Sequence, residues 1–326
     1  MYIRSASTLL QAGKLVDQQR RSAPRSWSYS RPYSASGFIG LPAAQALVRA
    51  GHIVYGLTRS QEKAQQLARE EIIPVVSQTS DLSTWLPLIA SLDVIIEVVG
   101  GTADVRELSK TLLNAVASAA QSSRPAHAPK LTYIYTSGTW VHGDDRTAIK
   151  TDTSPITAPA QHVAWRAEQE QRVVTNTVLN GIVIRPALLY GRSGSLLVPL
   201  FKGAAEGTVM WFGTPEDRYA LIRVDDLAEL FRLAAEKAQL VGGKIFDAAN
   251  DITESADDLL KKLVKVSGAQ GPHEFVQPSN LYETALTTTS LLRPYLARSL
   301  LSWQPRKAGL VDNLEVYYDA WKASVN

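Results

Sequence analysis

The stretch Tyr33-Ser-Ala-Ser-Gly-Phe-Ile-Gly-Leu-Pro-Ala-Ala-Gln-Ala-Leu-Val-Arg-Ala-Gly51, followed at once by His52-Ile-Val-Tyr-Gly-Leu-Thr58, carries the first reading of this chain. Ile39, Ala43, Leu47 and Val48 recur at helical spacing and Gly51 supplies a C-terminal stop. The spacing predicts a tight turn that opens a short buried helix, and the apolar run after it has the length of a strand. Glycines at a helix mouth let backbone N–H groups approach a pyrophosphate, and the helix dipole favours its negative charge. Ser34, Gly37, Phe38, Ile39 and Gly40 are therefore candidate cofactor contacts. A glycine pair three apart also describes an ordinary loop into a helix, so the decision falls to the residues on either side.

Downstream, helix and strand patterns alternate. Gln61 to Glu70 reads as a helix, Ile72 to Val76 as a strand, Leu82 to Ala90 as a helix, and Asp93-Val-Ile-Ile-Glu-Val-Val99 as a buried strand ending in Gly100-Gly101. That alternation implies parallel βαβ units in an α/β, doubly wound sheet, whose ligands bind at the carboxyl ends of the strands. Gly100 and Gly101 would lie at such an end, and they equally suit a plain turn. Arg59 stands at the tip of the second strand, about twenty residues past the glycines, where NAD-preferring sites carry an acid. An arginine there pairs with a 2′-phosphate instead, so the expected cofactor is NADP, with NAD as the alternative. A solvated surface arginine is the competing explanation.

Bulk composition narrows the classes. With 326 residues, 45% of them hydrophobic, and a net charge of +3, the chain can bury a large core and offers no strong electrostatic case for nucleic acid or a membrane as partner. The absence of cysteine removes disulfides, thiolate metal sites and cysteine nucleophiles, and no metal site is expected. No run of about 18 apolar residues exists. A cytoplasmic protein is expected, with a mitochondrial one as the alternative because of residues 1–33. That basic segment carries Arg4, Lys14, Arg20, Arg21, Arg25 and Arg31 against one acid, Asp17, with serines throughout. It fits a transit peptide in which Ile3–Val16 could form an amphipathic helix, and it fits somewhat better a disordered tail or an incorrect first exon. A dinucleotide fold needs a buried strand directly before the glycine turn, and Trp27-Ser-Tyr-Ser-Arg-Pro-Tyr33 is a poor one, with Arg31 and Pro32 where apolar residues belong. The expectation is that this strand has been replaced.

Further stretches carry a resemblance. Lys130-Leu-Thr-Tyr-Ile-Tyr-Thr-Ser-Gly-Thr-Trp-Val-His-Gly143 is a strand and its exit; Asn180-Gly-Ile-Val-Ile-Arg-Pro-Ala-Leu-Leu-Tyr-Gly191 is a buried strand ending in Arg-Pro-x-x-x-Tyr-Gly. Tyr219 to Ala228 runs from strand into helix, and Trp303-Gln-Pro-Arg306 precedes a last helix. From about Ala35 to the end the chain resembles the extended short-chain dehydrogenase/reductase family, the NAD-dependent epimerase/dehydratase-like group. The family's Thr-Gly-x-x-Gly-x-x-Gly fingerprint is met by Gly37 and Gly40, with Ser34 in place of the first glycine.

What the resemblance implies about chemistry is altered in this chain. The family's second serine in Ser-Ser-x-x-Val-Tyr-Gly, which binds the reacting oxygen, falls on Gly138, so its neighbours Ser137 and Thr139 become the candidates; His142 replaces the family tyrosine. The family's Tyr-x-x-x-Lys pair falls on His162 and Arg166, in a helix expected from Ala160 to Val174. Histidine can move a proton near neutral pH and arginine can hold ribose hydroxyls. The backbone after Pro186 passes the nicotinamide in relatives, Arg185 reads as a structural ion-pair partner, and Tyr190 as ordering its loop. Asp225 or Asp226 is expected to cap a helix, and Ser255 to start another. Residues 34–191 would form the dinucleotide domain and 192–326 mainly a substrate lobe, with 219–250 returning to the sheet. The leading function is an NADP-dependent oxidoreductase acting on a carbonyl or alcohol of a small molecule. Two alternatives stay open: a non-catalytic NAD(P)-binding regulatory protein, and a nucleotide-sugar epimerase or dehydratase. Relatives frequently pair through two helices each, which implies a homodimer. A nucleophilic hydrolase is disfavoured, since Gly191-Arg-Ser-Gly-Ser lacks the Gly-x-Ser-x-Gly spacing.

Overall fold

A computed structural model describes residues 7–11, 37–100, 104–193 and 195–325. They fall into two compact units, the first drawn from Met1–Thr136, Glu168–Val183 and Phe231–Lys244, the second from Ser137–Ala167, Ile184–Leu230 and Ile245–Asn326.

The first unit is the doubly wound part. In chain order it contains β1 (Ser7–Gln11), α1 (Gly40–Arg49), β2 (Ile53–Thr58), α2 (Gln61–Arg69), β3 (Ile73–Val76), β4 (Val94–Glu97), α3 (Val105–Ser123) and β5 (Thr132–Thr136). Helix α4 (Trp165–Val174) enters this unit at Glu168, and β6 (Asn180–Pro186) leaves it after Val183. The strands lie in the order β6-β5-β4-β1-β2-β3, and β1 with β2, β2 with β3, β1 with β4 and β4 with β5 are all parallel. Strand order reverses between β1 and β4, which end side by side at Gln11 and Glu97. The carboxyl ends of those two strands are where such sheets bind ligands.

The sequence builds this unit in a direct way. Every residue of β4 and β5 is buried, as expected of central parallel strands covered on both faces. Helix α1 buries Pro42, Ala43, Ala44, Ala46 and Leu47; Leu47 alone, fully buried, contributes about 1.5–3 kcal/mol of transfer free energy. Ser60 caps α2 by accepting the Lys63 amide at 3.2 Å. The segment expected as one helix over Leu82–Ala90 is a single helical turn, Leu82–Trp85, continued by a 3₁₀ turn over Leu86–Ala90 that starts next to Pro87. Among the described residues no helix is long and apolar enough to cross a membrane.

The first strand corrects an expectation. Ser7-Thr-Leu-Leu-Gln11 forms β1, pairing Thr8 with both Val54 and Val94, so a central strand exists and the Ile3–Val16 helix does not extend through these residues. A five-residue run with Thr and two Leu is compatible with either state, and pairing to a strand on each side outweighs a weak local helical period. Trp27–Tyr33 and Ser34 lie outside the described residues.

The second unit is built from short pairs of strands around an aromatic core. Leu188–Tyr190 pairs in parallel with Leu221–Arg223, Met210–Phe212 with Glu274–Val276, and Asp145–Lys150 with Ser290–Leu292, whereas Arg218–Tyr219 and Glu254–Ser255 are antiparallel. β7 (Ile245–Ala248) runs beside the end of β6, and the Ala187 amide donates to the Ala248 carbonyl at 2.9 Å. Tyr190, Trp211, Leu260, Leu314, Tyr318 and Trp321 belong to the buried core cluster.

Sequence expectations fare unevenly here. Ser255 caps its helix by accepting the Asp258 amide. Asp225 and Asp226 sit in the first turn of α5 (Val224–Glu236) but are not caps: Asp225 pairs with Arg192 and Arg223, and Asp226 accepts the Lys307 amide at 3.0 Å. A first-turn acid suits the helix dipole in either case, so sequence cannot tell a cap from an anchor for a distant segment. Tyr190 donates to the Ala308 carbonyl at 2.8 Å and so holds the closing segment.

Candidate functional site

Each unit contributes one group of candidate residues. In the first, Gly37, Phe38 and Ile39 form the turn ahead of α1, with the Gly37 carbonyl accepting the Leu41 amide at 3.1 Å and the Ile39 carbonyl accepting the Ala43 amide at 3.2 Å. Among the described residues no side chain caps α1 and no acid lies in its first turn, which leaves the positive end of its dipole open to an anion. At the end of β2 the buried Thr58 hydroxyl has no hydrogen-bond partner among the described residues, and Arg59 beside it is partly buried, which alone lowers its pKa. Gly100 follows β4, and Gly101 lies outside the described residues. The amides, the orphaned hydroxyl and the guanidinium fit a dinucleotide phosphate in this unit.

At the carboxyl end of β4 the structure adds a residue that sequence reasoning passed over. Glu97 is 1% exposed and accepts hydrogen bonds from Ser109 Oγ and the Tyr133 hydroxyl. Burial, reinforced by the Glu97 carboxylate, pushes the Tyr133 phenol far above its usual range. An acid inside the run Val94–Val99 was the available signal, since a carboxylate on a central strand must be hydrogen-bonded.

In the second unit Ser137, Thr139, His162, Arg166 and Pro186 all occur, and backbone hydrogen bonds hold the segments that carry Ser137 and His162. The Ser137 amide donates to the Ile184 carbonyl at 2.8 Å, and the carbonyl of Pro186 lies 3.8 Å from where a Cβ on Gly138 would stand. Thr139–His142 is a single 3₁₀ turn. The Ala160 amide donates to the Trp140 carbonyl at 3.0 Å, which docks the His162 segment on the Thr139 turn. Gly143 makes that possible: its φ is +72°, and a Cβ there would stand 1.9 Å from the Ala158 carbonyl oxygen.

The helix expected to carry both His162 and Arg166 starts later than predicted. Gln161–Val163 is a 3₁₀ turn preceded by the non-helical Ala160, and α4 begins at Trp165. The two side chains still interact. Partial desolvation, then the positive charge of Arg166, lower the His162 pKa below 6.5. The His162 ring packs edge-on against Tyr282 at 5.7 Å, and the Arg166 guanidinium lies 4.6 Å over the Trp165 ring.

His142 is taken up elsewhere. Its Nε2 meets Asp247 Oδ2 at 2.8 Å with both side chains fully buried, and Asp247 Oδ1 lies 3.5 Å from Arg185. The Asp247 amide donates to Asp152 Oδ1 at 2.8 Å, and burial followed by the Asp247 charge raises the Asp152 pKa. Arg185 is thus the structural ion-pair partner expected of it. The acid that completes the set, Asp247, sits in the apolar run Ile245-Phe-Asp-Ala248, the same kind of signal as Glu97.

Comparison with known proteins decides the family. Residues 35–249 match the model of the NAD dependent epimerase/dehydratase family. The chain belongs to that family. An uncharacterized protein of Schizosaccharomyces pombe is 25% identical, covering 86% of this chain and 96% of its own length. The epimerase family protein YfhF of Bacillus subtilis is 26% identical over 84% of this chain and 89% of its own. A 4-hydroxy-2-methyl-3-oxo-4-farnesyl-3,4-dihydroquinoline-1-oxide ketoreductase of Stigmatella aurantiaca is 23% identical, with 72% and 71% covered. Among solved structures, a dTDP-glucose 4,6-dehydratase from Bacillus anthracis in complex with NAD superposes with a TM-score of 0.75 at 12% identity, over 98% of this chain and 97% of that one. A UDP-glucuronic acid 4-epimerase from Bacillus cereus in complex with NAD gives 0.72 at 18% identity, over 90% and 98%. These likenesses establish a Rossmann-type fold of the extended short-chain dehydrogenase/reductase kind.

Proposed function

We propose that the protein is an NADP-dependent oxidoreductase acting on a carbonyl or secondary alcohol of a small molecule. The observation that carries the reading is the pair of turns in the second unit, in which Thr139 and His162 are docked through the bond from Ala160 to Trp140. Gly37–Gly40 and the mouth of α1 would hold the pyrophosphate, with Gly100 beside it, and Arg59 the 2′-phosphate. A bound nicotinamide dinucleotide would supply the hydride acceptor or donor.

The chain's own part is to bind, orient and move the proton. Partial burial and then the Arg166 charge hold the His162 pKa below its ordinary value, which favours the neutral ring. A neutral imidazole accepts the proton of an alcohol during oxidation; carbonyl reduction needs the protonated ring and runs better as pH falls. Arg166 favours the neutral ring through its charge and would hold the ribose hydroxyls, as the family lysine does. The hydroxyls of Ser137 and Thr139 would polarise the reacting oxygen, with Pro186 shaping the wall beside Gly138. A second reading, a dinucleotide-binding protein without turnover, is favoured by one observation: the family serine position is Gly138, which has no hydroxyl to offer. The test common to both is NADPH oxidation by the purified full chain across aldehydes, ketones and nucleotide sugars. Turnover that survives in His162→Phe at the full rate would remove His162 from the mechanism, and binding of NADPH with no turnover on any substrate would favour the second reading.

A further inference from the structure

The turn that carries Thr139 ends in a buried imidazole. Thr139–His142 is a 3₁₀ turn, a form whose own hydrogen bonds have poor geometry; here the Val141 amide reaches the Gly138 carbonyl at 3.3 Å and the Gly143 amide the Trp140 carbonyl at 3.1 Å. Its flanks are tied down, the Ser137 amide to the Ile184 carbonyl at 2.8 Å and the Gly143 carbonyl to Ser290 Oγ at 2.6 Å. Within the turn the His142 side chain reaches β7. Its Nε2 meets Asp247 Oδ2 at 2.8 Å with both side chains fully buried, and its Nδ1 has no hydrogen-bond partner among the described residues. A carboxylate accepts, so Nε2 carries the hydrogen of this bond, and the bond aims the ring. Asp247 is itself held in place. Arg185 lies 3.5 Å from its other oxygen, and its amide donates to Asp152 Oδ1 at 2.8 Å. The second oxygen of Asp152 accepts the Tyr295 and Leu296 amides at 2.8 and 3.2 Å. A buried network joined in this way is rigid, and a charge-assisted bond in a dry interior is both strong and directional.

We propose that His142 is the positioning residue of this turn: through Asp247 it fixes the backbone that carries Thr139, and so serves the reaction without touching the substrate. The inference rests on the oxidoreductase reading and adds to it a residue outside the set that handles substrate and cofactor. Two observations give the anchor its reach. His142 and Asp247 are 105 residues apart, so the turn takes its place from a strand that no local preference specifies. The Trp140 carbonyl in the same turn accepts the Ala160 amide at 3.0 Å, so a shift of the turn also moves the segment that carries His162. A small displacement of groups that must meet a reacting oxygen lowers the rate of the chemical step more than it weakens binding.

Variants of the full chain separate the aim of the bond from simple packing. Glutamine and asparagine carry the same amide, but glutamine brings it to where Nε2 stands and asparagine stops short. His142→Gln therefore keeps a donor for Asp247, His142→Asn loses it, and Asp247→Asn alters the other partner. The first readout is amide hydrogen exchange by mass spectrometry, which needs no substrate. In His142→Asn and Asp247→Asn, peptides covering 137–143 and 160–163 should exchange at least about tenfold faster, with those of β4 and β5 unchanged. His142→Gln should stay close to the unaltered protein. The double variant His142→Asn with Asp247→Asn should exchange no faster than the worse single one, because both act through one bond. The second readout is NADPH oxidation with a ketone that the unaltered protein reduces. Here kcat should fall about tenfold or more in the two asparagine variants, with NADPH affinity retained, and His142→Gln should restore it. Unchanged exchange in His142→Asn, a loss that His142→Gln shares in full, additive losses in the double variant, or faster exchange with an unchanged kcat each overturns the proposal. If His142→Asn fails to fold, Asp247→Asn against His142→Gln decides. The expected exchange pattern in a protein whose unaltered form reduces no carbonyl compound leaves the anchor standing and refutes the oxidoreductase reading.

Discussion

Replacing Gly143 by alanine tests how the candidate site is held together. The backbone there has φ +72° and ψ −175°, a region almost confined to glycine that costs an L-residue about 1–3 kcal/mol. The added Cβ would stand 1.9 Å from the Ala158 carbonyl oxygen, so the backbone of one segment has to move, a kind of overpacking that costs about 1–3 kcal/mol. Together these give a loss of about 2–6 kcal/mol. The movement falls on the dock between the Ala160 amide and the Trp140 carbonyl, which sets His162 against the Thr139 turn. The assay is urea unfolding followed by tryptophan fluorescence, paired with NADPH oxidation on a competent carbonyl substrate. A fall in the midpoint with a drop in kcat of at least tenfold is expected, while NADPH affinity is retained. Gly138→Ala supplies the control, because its Cβ would stand an ordinary 3.8 Å from its nearest neighbour and should leave the midpoint within about 0.5 kcal/mol. If Gly143→Ala is as stable as Gly138→Ala and equally active, the reasoning about the dock is wrong.

Gly138→Ser restores the hydroxyl that the family carries, in a space able to accept it; a rise in kcat/KM of about tenfold or more is expected from one added donor at a developing oxyanion, and an unchanged or lower value would show that this position does not face the reacting oxygen. For alcohol oxidation, the rate should climb with pH through an apparent pKa lower than that of an ordinary histidine, because His162 must be deprotonated to accept the proton; Arg166→Gln removes a charge that lowers this pKa, so the limb should move to higher pH, and a limb that stays put contradicts the pairing. Arg59→Asp should weaken NADPH by well over tenfold and NADH little, checked by fluorescence titration of both cofactors; equal losses would remove the 2′-phosphate assignment.

Much of the fold was legible because its signals are local. The helical spacing of Ile39, Ala43 and Leu47, and the buried runs at Val94–Glu97 and Thr132–Thr136, identify parallel strands and their crossover helices without reference to anything distant. β1 was not legible: Ser7–Gln11 takes its conformation from strands paired on both sides, and pairing between residues so far apart leaves no trace in a short window. The site shows the same division. Type and spacing single out His162 and Arg166, whereas the 3₁₀ turn at Gln161–Val163 and its tie to Trp140, some twenty residues earlier, leave no signal in a local window. Arg185 was assigned an ion pair with no partner named, and Asp247 was missed because it sits inside an apolar strand whose pattern drew attention to its neighbours. Asp225 and Asp226 fit a cap by position and serve instead as partners of Arg192, Arg223 and the Lys307 amide, contacts that only the folded chain creates.

The most direct test of the account is isotope transfer from a cofactor deuterated at the reactive nicotinamide carbon, using the full chain, NADPH and a small neutral ketone, with the product alcohol examined by mass spectrometry and NMR. The account predicts one deuterium per product molecule on the former carbonyl carbon, with transfer lost in His162→Phe while NADPH binding persists. Tight NADPH binding with no deuterium delivered to any aldehyde, ketone or nucleotide sugar would contradict it.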